Sequence, residues 1–396
     1  MMQISPETQL FIREHSSDDV RVLALQAKKY PDIDMPTAIT QIAGRKVAAE
    51  KIPSWWEIEK IWYPKHLSLE QCSSEITARY KARLLQGDSL TDLTGGFGID
   101  CSFLATGFKS ATYVERQEEL CEIAAHNFPV LNLNHINIKN EDGVTYLQAM
   151  SPVDCLFLDP ARRNEHGGKT VAISDCEPNV AELEGLLLSK ANRIMIKLSP
   201  MLDLSQALKE LPHTQEVHII SVNNECKELL LLLGQTAPEE IPVHCVNLST
   251  KGEQEKQLFV FTREQEQHSE CSYTDTLGNY LYEPNASLLK AGAFRSIAAA
   301  YSVKKLHPNS HLYTSDTQIE GFPGRTFRII NRCSLNKKEI KENLSDLKKA
   351  NITVRNFPAT VAELRKRIKL AEGGDTYLFA STLNDGQKIL IRCGKV

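Results

Sequence analysis

The sequence predicts an α/β fold: a parallel sheet that ends in an antiparallel hairpin, with a helical domain before it and a small α+β domain after it. Strand-like and helical segments alternate regularly from residue 90 onward, a pattern typical of right-handed βαβ units. Strand 226–233 follows strand 216–222 after a turn too short for a parallel return, so it must run antiparallel. A length of 396 residues allows two or three domains.

The predicted elements follow from apolar periodicity. Strands of the main sheet are predicted at 90–94, 110–115, 135–139, 153–158, 193–198 and 216–222, with helices at 98–107, 117–127, 143–150, 181–191 and 204–211. Later elements are a helix at 287–301, strands at 326–331, 352–357, 377–382 and 388–393, and helices at 337–350 and 360–370. The predicted parts are a helical N-terminal domain (1–66), the sheet domain (67–265), a connecting segment (266–321) and the small α+β domain (322–396).

Composition is ordinary for a soluble globular protein, with 42% hydrophobic and 24% charged residues. No apolar run approaches the length of a membrane span, and the N-terminus shows no signal-peptide pattern, so we expect a cytoplasmic protein without a membrane partner. The ten cysteines are scattered and include no Cys-x-x-Cys pair. That spacing favours reduced thiols over a zinc ribbon or a disulfide framework. The oligomeric state cannot be predicted.

The segments before the sheet are predicted to be helical. Residues 5–60 hold apolar residues at helical spacing, and Trp55 and Trp56 are expected to pack in a core rather than to stack on bases. Residues 67–81 predict a capped helix, because Ser68 and Gln71 fit a capping box. This helix precedes the first strand directly, so it is either an ordinary surface helix or a cover over a bound ligand.

A glycine-rich turn follows the first strand and organises the chain. The stretch from Leu90 to Asp100 places Asp92 at the strand end and glycines at 95, 96 and 98, where a side chain would keep a ligand from the backbone. The turn is not the dinucleotide fingerprint Gly-x-Gly-x-x-Gly, because Cys101 occupies the last glycine position.

Further acidic residues follow the next strands. Glu115 closes the second strand, where an acid would grip both hydroxyls of a ribose, and Asp142 follows the third, where an adenine amino group would lie. Alone, Glu115 could be a solvated strand-end residue, and Asp142 could equally be a helix N-cap. Since the carboxyl ends of parallel strands share one edge of a sheet, a nucleotide-like ligand there would meet these acids together with Asp92 and Asp159.

Residues 158–163 are the decisive stretch for chemistry. A buried strand delivers Asp159 and Pro160 to its carboxyl end, where Asp159 could accept a hydrogen bond or proton from a substrate and Pro160 fixes the backbone. Arg162 and Arg163 could hold a phosphate; the alternative is a turn with solvated arginines. Lys197 interrupts an apolar strand and should have a partner, for which Asp159 is one candidate.

The loop continues through residues 165–168, which could close over a substrate. His166 has no neighbouring histidine or cysteine in the sequence, so we expect neither a metal at the site nor a structural metal.

The C-terminal segment is basic. Residues 322–396 carry 16 lysines and arginines against 7 aspartates and glutamates, a net charge of +9, whereas the rest of the chain carries −13. This asymmetry is typical of a polyanion-binding appendage, although a solvated lysine-rich surface would give the same count.

Together these motifs resemble those of class I S-adenosylmethionine (SAM)-dependent methyltransferases. Residues 92–98 are similar to their first motif, Glu115 to the second, 140–142 to the third and 159–162 to the fourth. The resemblance implies a Rossmann-like sheet and a terminal hairpin. Its implied SAM-binding residues are Asp92, Thr94, Gly95, Gly96, Gly98, Glu115, Asp142 and Asp159, and its implied catalytic residues are Asp159, Pro160, Arg162 and Lys197.

The wider chain resembles a bacterial family in which such a domain carries a THUMP-like domain at its C-terminus. Residues 70–75, 197–203 and 280–284 contribute to this similarity. THUMP domains bind RNA, so the resemblance implies an RNA substrate. Its contacts would be Arg162, Arg163, Lys337, Lys338, Arg365 and Arg367.

One departure concerns the methyl acceptor. Ala161 and Arg162 stand where amino-methylating relatives usually have proline and an aromatic residue, so the target atom stays open between nitrogen and oxygen. No Pro-Cys or Ser-Cys-Asn-Pro stretch supports a covalent cysteine mechanism. The sequence favours a SAM-dependent RNA methyltransferase; the alternatives are an NAD-dependent oxidoreductase and a non-catalytic RNA-binding protein with a degenerate cofactor fold.

Overall fold

The computed structural model describes residues 4–162, 172–250 and 256–396. This part of the chain divides into two compact units, the first made of residues up to Gln215 together with Leu229–Pro238, and the second of Glu216–Glu228 and Glu239–Val396. No helix in the described ranges combines the length and the apolar character that crossing a bilayer requires.

Eleven helices are described in the first unit. They are α1 (Pro6–Glu14), α2 (Val20–Leu25), α3 (Met35–Lys51), α4 (Pro53–Trp56), α5 (His66–Gln71), α6 (Glu75–Ala82), α7 (Ile99–Ala105), α8 (Glu118–Val130), α9 (Gly143–Ala149), α10 (Val180–Lys190) and α11 (Leu204–Glu210). The five that follow the first strand agree with the predicted helices to within about three residues at each end, as expected for strongly periodic segments.

The prediction of one capped helix over 67–81 is wrong. Helix α5 has Lys65 as its N-cap, so Ser68 lies inside the helix and the predicted capping box does not form. The helix ends at Gln71, and α6 begins at Glu75 after a short break. This break places Ser73 in a buried position.

The N-terminal helices pack onto the glycine turn. Trp55 is 2% exposed and meets the ring of Phe97, a residue of that turn, edge-on at 5.2 Å. Ile99 and Ile123 belong to the same apolar cluster. Trp55 is therefore a core residue as predicted, whereas Trp56 remains 42% exposed.

The strands of the first unit form the predicted Rossmann-like sheet. They are β1 (Ser89–Asp92), β2 (Ser110–Glu115), β3 (Ile136–Asn140), β4 (Val153–Leu158), β7 (Ala191–Leu198) and the end of β9 (Glu225–Gly234), with a small separate pair formed by β5 (Ala161–Arg162) and β6 (Cys176–Glu177). The order is β3-β2-β1-β4-β7-β9, parallel up to β7. β9 pairs antiparallel with β7, the direction that the sequence predicted for strand 226–233.

Strand β8 (Thr214–Val222) precedes β9 in the chain, and most of it belongs to the second unit. There it pairs in parallel with β10 (Pro242–Leu248), which pairs antiparallel with β11 (Lys256–Thr262). Helix α12 (Arg263–His268) follows, with Thr262 and Gln265 forming a capping box.

The rest of the second unit is built on a seven-stranded sheet. Its strands are β12 (Tyr280–Pro284), β13 (Lys304–Lys305), β14 (Tyr313–Ser315), β15 (Gly324–Cys333), β16 (Asn351–Val354), β17 (Thr376–Thr382) and β18 (Lys388–Lys395), in the order β13-β14-β12-β15-β18-β17-β16. Its helices are α13 (Ala286–Ala291), α14 (Arg295–Ala300), α15 (Lys337–Leu344) and α16 (Val361–Ile368).

Two helix predictions in this unit need correction. The predicted helix 287–301 is two helices, because Gly292 adopts φ +77° and ends α13 with a left-handed cap. The helix predicted over 337–350 ends at Leu344, six residues before the predicted end.

Strand β12 pairs with β15 along its whole length, so one sheet contains segments from both sides of residue 322. The buried carboxylate of Glu283 reinforces this join with ion pairs to Arg325 and Arg355.

Candidate functional site

The glycine turn joins β1 to α7 with a backbone that other residues would strain. Gly96 and Gly98 adopt φ angles of +53° and +85°. A Cβ atom at Gly95 would lie 2.3 Å from the ring of Tyr113, which packs beneath the turn. Glycine is therefore needed at 95 for space and at 96 and 98 for conformation.

A cleft opens at this turn. It is lined by Cys72, Ser73, Asp92, Thr94, Gly95, Gly96, Phe97, Gly98, Ile99, Asp100, Phe157 and Asp159. Most of the residues proposed from the sequence to bind a cofactor line this cleft. Gly143, the residue after Asp142, packs its backbone against the carbonyl of Leu93. The cleft lies at the carboxyl edge of the parallel strands, as the sequence predicted.

Asp92 is the most unusual group in the cleft. It is 1% exposed, and its Oδ1 accepts a hydrogen bond from the Thr94 N–H at 3.0 Å. Its Oδ2 is buried without a hydrogen-bond partner among the described residues. Burial raises the pKa of this carboxyl well above its ordinary value, and the carboxylates of Asp100, Asp159 and Glu115 add to the shift. A buried acceptor left unsatisfied costs about 1–3 kcal/mol, which a ligand donor would recover.

Glu115 is tied to the turn. Its Oε2 accepts from the Gly96 N–H at 2.9 Å and its Oε1 from the Gln117 N–H at 2.8 Å. Glu115 is only 8% exposed, so it is held in place by these hydrogen bonds rather than solvated. Each oxygen retains a second lone pair that could accept from a ligand hydroxyl.

Asp142 is the N-cap of α9. Its Oδ1 accepts from the N–H groups of Val144 and Thr145, both at 3.0 Å. This is the capping role that the sequence left open, and the side chain is exposed. The cap leaves Oδ2 available to a ligand.

A network of buried ions forms the floor beside Asp159. Lys197 lies 2.5 Å from Asp159 Oδ2 and 3.5 Å from Asp100 Oδ2, measured from its Nζ. Lys81, fully buried, lies 3.0 Å from Asp100 Oδ1. The hydroxyl of Ser73 donates to Asp100 at 2.7 Å and accepts from Lys81 at 2.8 Å and from Lys197 at 3.0 Å. The predicted pairing of Lys197 with Asp159 is present.

The two aspartates of this network differ electrostatically. Burial alone would raise the pKa of Asp100, but Lys81 and Lys197 hold it below its ordinary value. Asp159 meets a single lysine, and burial raises its pKa more than Lys197 lowers it. Its side chain is still 36% exposed, toward the cleft. The two lysines therefore favour the anionic form of Asp100, whereas burial at the cleft disfavours the anionic form of Asp159.

The cleft carries an excess of acidic groups. Asp92, Asp100 and Asp159 line it, and Glu115 adjoins it through the Gly96 N–H. Two lysines, Lys81 and Lys197, pair with Asp100 and Asp159. Such a site favours a cationic ligand and disfavours a pyrophosphate.

Cys72 lines the cleft as a thiol, not a nucleophile. Burial raises its pKa to about 11, and its Sγ donates a hydrogen bond to the Leu69 carbonyl at 3.0 Å. Because the thiolate is the reactive form, this residue does not supply covalent catalysis at neutral pH.

The remaining predicted site residues lie as follows. Pro160 is buried directly after β4. Arg162 pairs with Cys176 through its backbone in β5, and its side chain is not among the described parts. Arg163 and the loop 165–168 fall outside the described residues. Lys337, Lys338, Arg365 and Arg367 all belong to the second unit.

Sequence reasoning misses Ser73, Lys81 and Asp100. Lys81 belongs to the segment 67–81, which the sequence leaves open between a surface helix and a cover over a ligand, and nothing in the sequence indicates that Lys81 pairs with Asp100. The available signal is the position of 67–81 directly before the first strand, which suggests a helix covering the ligand.

Family models match the C-terminal part of the chain. Residues 280–323 match a ferredoxin-like domain and residues 324–395 a THUMP domain-like family. The two matches meet at residue 323, within the seven-stranded sheet. A search of curated proteins finds no match.

Among solved structures, the chain resembles a candidate methyltransferase from Porphyromonas gingivalis W83 with 35% identity, a TM-score of 0.87 and coverage of 100% of both chains. It also resembles a modification subunit of a candidate type I restriction enzyme from Vibrio vulnificus YJ016 (13% identity, TM-score 0.36, 51% of this chain and 56% of that one). A third is an rRNA methylase from Streptococcus thermophilus (13% identity, TM-score 0.29, 40% of this chain and 94% of that one). With TM-scores this low, the last two likenesses do not bear on fold or function.

The full-length similarity to the Porphyromonas gingivalis protein, the Rossmann-like sheet with its antiparallel end and the THUMP domain-like match agree with one another. The chain belongs to the family of class I methyltransferase-like proteins that carry a THUMP-like domain at the C-terminus.

Proposed function

We propose that this protein is a SAM-dependent methyltransferase that acts on RNA. The observation that carries the proposal is the buried Oδ2 of Asp92, which has no hydrogen-bond partner in the described part of the chain and lies beside a glycine turn, in a cleft with an acidic excess. SAM fits this cleft because it carries a sulfonium and an ammonium group. The Porphyromonas gingivalis relative, described as a candidate methyltransferase, supports the same class of reaction.

Three parts of the cofactor are assigned residues: the ammonium group, the ribose and the adenine. Asp92 Oδ2 would accept from the ammonium group, and Gly95, Gly96 and Gly98 leave room for the ligand against the backbone. Glu115 would accept from the ribose hydroxyls, already oriented by the Gly96 N–H.

At the adenine end, Asp142 would accept from the amino group through the oxygen that its cap leaves available. Thr94 supports the site indirectly, because its hydroxyl accepts from the Asp159 N–H at 2.6 Å and so joins the turn to the end of β4.

The chemistry needs alignment more than activation. When bound, SAM supplies a methyl group on an already activated sulfonium. Asp159 would accept a hydrogen bond from the target nitrogen or oxygen and take its proton, while Pro160 fixes the backbone beside it. Lys197, 2.5 Å from Asp159, positions the carboxylate and limits its basicity.

The second unit supports RNA as the substrate. THUMP domains bind RNA, and the matched segment 324–395 lies within the +9 region. Lys337 and Lys338 are exposed at the start of α15, and Arg367 is exposed in the last turn of α16. Arg365 is partly buried, with its guanidinium near the Ala350 carbonyl. Arg162 and Arg163 remain proposed RNA contacts from the sequence.

Deleting residues 322–396 is a poor test of RNA binding, because the cut removes β15 from the side of β12. It would also leave the buried Glu283 without Arg325 and Arg355. Breaking a buried ion pair costs about 3–5 kcal/mol, so the remaining chain would be destabilised.

Charge reversal on the surface avoids this problem. Lys337→Glu with Lys338→Glu should weaken RNA binding and reduce its salt dependence by roughly 0.7 in slope per lost contact to a single strand. Lys28→Glu with Lys29→Glu is the matched control, since these lysines are also an adjacent pair. Equal RNA affinity and salt slope in both double variants would show that the basic region does not bind the RNA.

The activity itself is tested by mass spectrometry of RNA nucleosides from cells with and without the gene. A methylated nucleoside that is lost with the gene and restored by the wild-type protein, but not by Asp159→Ala, is the expected result. Identical nucleoside profiles would contradict the RNA substrate. Restoration by a folded Asp159→Ala variant would move the acceptor role to another residue.

A further inference from the structure

Three metal-ligating side chains come together in the second unit, in residues that the proposed function does not use. Glu216 and His218 lie two positions apart on β8, so they project from the same face of the strand. His244 is directly opposite His218 in the parallel pairing of β8 with β10. The register thus places two imidazoles and a carboxylate on one face of a sheet.

The geometry is close to that of a metal centre. One ligand atom from each of Glu216, His218 and His244 lies within 4.8 Å of the other two. A tetrahedral zinc ion with bonds of about 2.0–2.1 Å holds its ligand atoms roughly 3.4 Å apart, so the side chains would have to rotate to bring these atoms into place. The two imidazole rings now stack at 4.3 Å with an interplanar angle of 11°.

Burial and charge also suit a metal ion. His218 is 2% exposed, while the Glu216 side chain keeps 31% of its surface and leaves a path from solvent. Each imidazole offers a ring nitrogen as a ligand atom, and the Glu216 carboxylate supplies the negative charge of the cluster.

We propose that Glu216, His218 and His244 form a binding site for a divalent transition-metal ion, with Zn²⁺ the best match to two imidazoles and one carboxylate. The bound ion would fasten β8 to β10 and leave its fourth position to water. This site departs from the expectation of no structural metal. The sequence carries no signal for it, because the ligands meet only through strand register.

The test uses the full chain freed of metal with a chelator. Binding of Zn²⁺ is measured by calorimetry. Binding of Co²⁺ is followed by ultraviolet and visible absorption, because Co²⁺ bound to thiolates adds an intense ultraviolet charge-transfer band. We expect one equivalent per chain, visible bands without the thiolate band, and a higher unfolding temperature with metal. Cysteine-bound metal would give that band and would count against the proposal.

Variants locate the ion. His244→Gln and Glu216→Gln should each weaken Zn²⁺ affinity by more than about 100-fold. Losing a residue that only hydrogen-bonds to a metal ligand typically weakens affinity by roughly 10–100-fold, so a larger loss indicates a direct ligand. His268→Gln is the matched control, because His268 is an exposed histidine of the same unit at the end of α12, and it should bind like wild type. Unfolding of the metal-free variants is recorded to show that they fold.

The proposal is overturned if the wild-type chain takes up less than one equivalent. It is also overturned if both folded variants bind Zn²⁺ with wild-type affinity.

Discussion

Replacing Asp92 with asparagine should weaken SAM binding and stabilise the ligand-free protein. The carboxylate is 1% exposed, and within the described ranges its Oδ1 accepts from the Thr94 N–H while its Oδ2 has no partner. The asparagine side chain would keep that acceptor and replace the unpartnered Oδ2 with a neutral amide nitrogen that can donate to the nearby carboxylates. Removing an unsatisfied buried acceptor should raise the free energy of unfolding by about 1–3 kcal/mol.

The affinity should change in the opposite direction. A hydrogen bond to a charged group contributes about 1.5–3 kcal/mol, so SAM should bind roughly 10- to 150-fold more weakly to Asp92→Asn. Calorimetry measures the affinity, and urea denaturation of the ligand-free protein measures the stability. Asp88→Asn is the control, since Asp88 directly precedes the same strand but its side chain is 69% exposed.

The pH dependence separates this cause from a packing effect. Folding raises the pKa of Asp92 above 3.8, so ionising the carboxyl disfavours the folded state once the pH exceeds that value. The stability advantage of Asp92→Asn should therefore be largest near neutral pH and shrink in acid. A variant that binds SAM like wild type, or that is less stable than wild type at neutral pH, would refute the reasoning.

Three further predictions concern the same cleft. Lys197→Met should lower the free energy of unfolding by about 3 kcal/mol in urea denaturation, because it leaves Asp100 and Asp159 short of a cation; unchanged stability would show that the network contributes nothing. Asp100→Asn should also destabilise the folded protein, and the loss should become smaller as the pH falls. The ion pairs of Asp100 contribute their full stability above pH 3.8, and that contribution is lost as the pH falls through the lowered pKa of Asp100. A loss of unfolding free energy that does not depend on pH in urea denaturation would indicate a packing effect instead. Glu115→Gln and Glu115→Ala should both weaken SAM binding at least about tenfold in calorimetry. Alanine should destabilise the turn more than glutamine, since it removes the acceptors of both the Gly96 and the Gln117 N–H, whereas glutamine keeps one acceptor oxygen; a folded Glu115→Ala protein with wild-type affinity would exclude the ribose assignment.

Much of the fold follows from local pattern. The parallel strands and their helices were predictable because each buries an apolar face with a regular period. The contact between Lys197 and Asp159 was foreseeable too, since β4 and β7 are adjacent and parallel, and a lysine inside an apolar strand requires a partner.

The missed features depend on tertiary contacts. Lys81 lies on a helix whose polar face looks solvent-exposed in sequence, yet it is fully buried against Asp100. Ser73 reaches the same network only because the helix predicted over 67–81 is interrupted there, between α5 and α6. Such breaks, like the strand register that joins His218 to His244, leave no periodic signal in the sequence.

The most direct test of the account is calorimetry of the full chain with SAM, its demethylated product S-adenosylhomocysteine, and NAD. We expect SAM and S-adenosylhomocysteine to bind at one site per chain, and NAD not to bind. Asp92→Asn should lower the affinity for both SAM and S-adenosylhomocysteine. Binding of NAD in place of SAM would contradict the central claim, as would the failure of the folded wild-type protein to bind either SAM or S-adenosylhomocysteine.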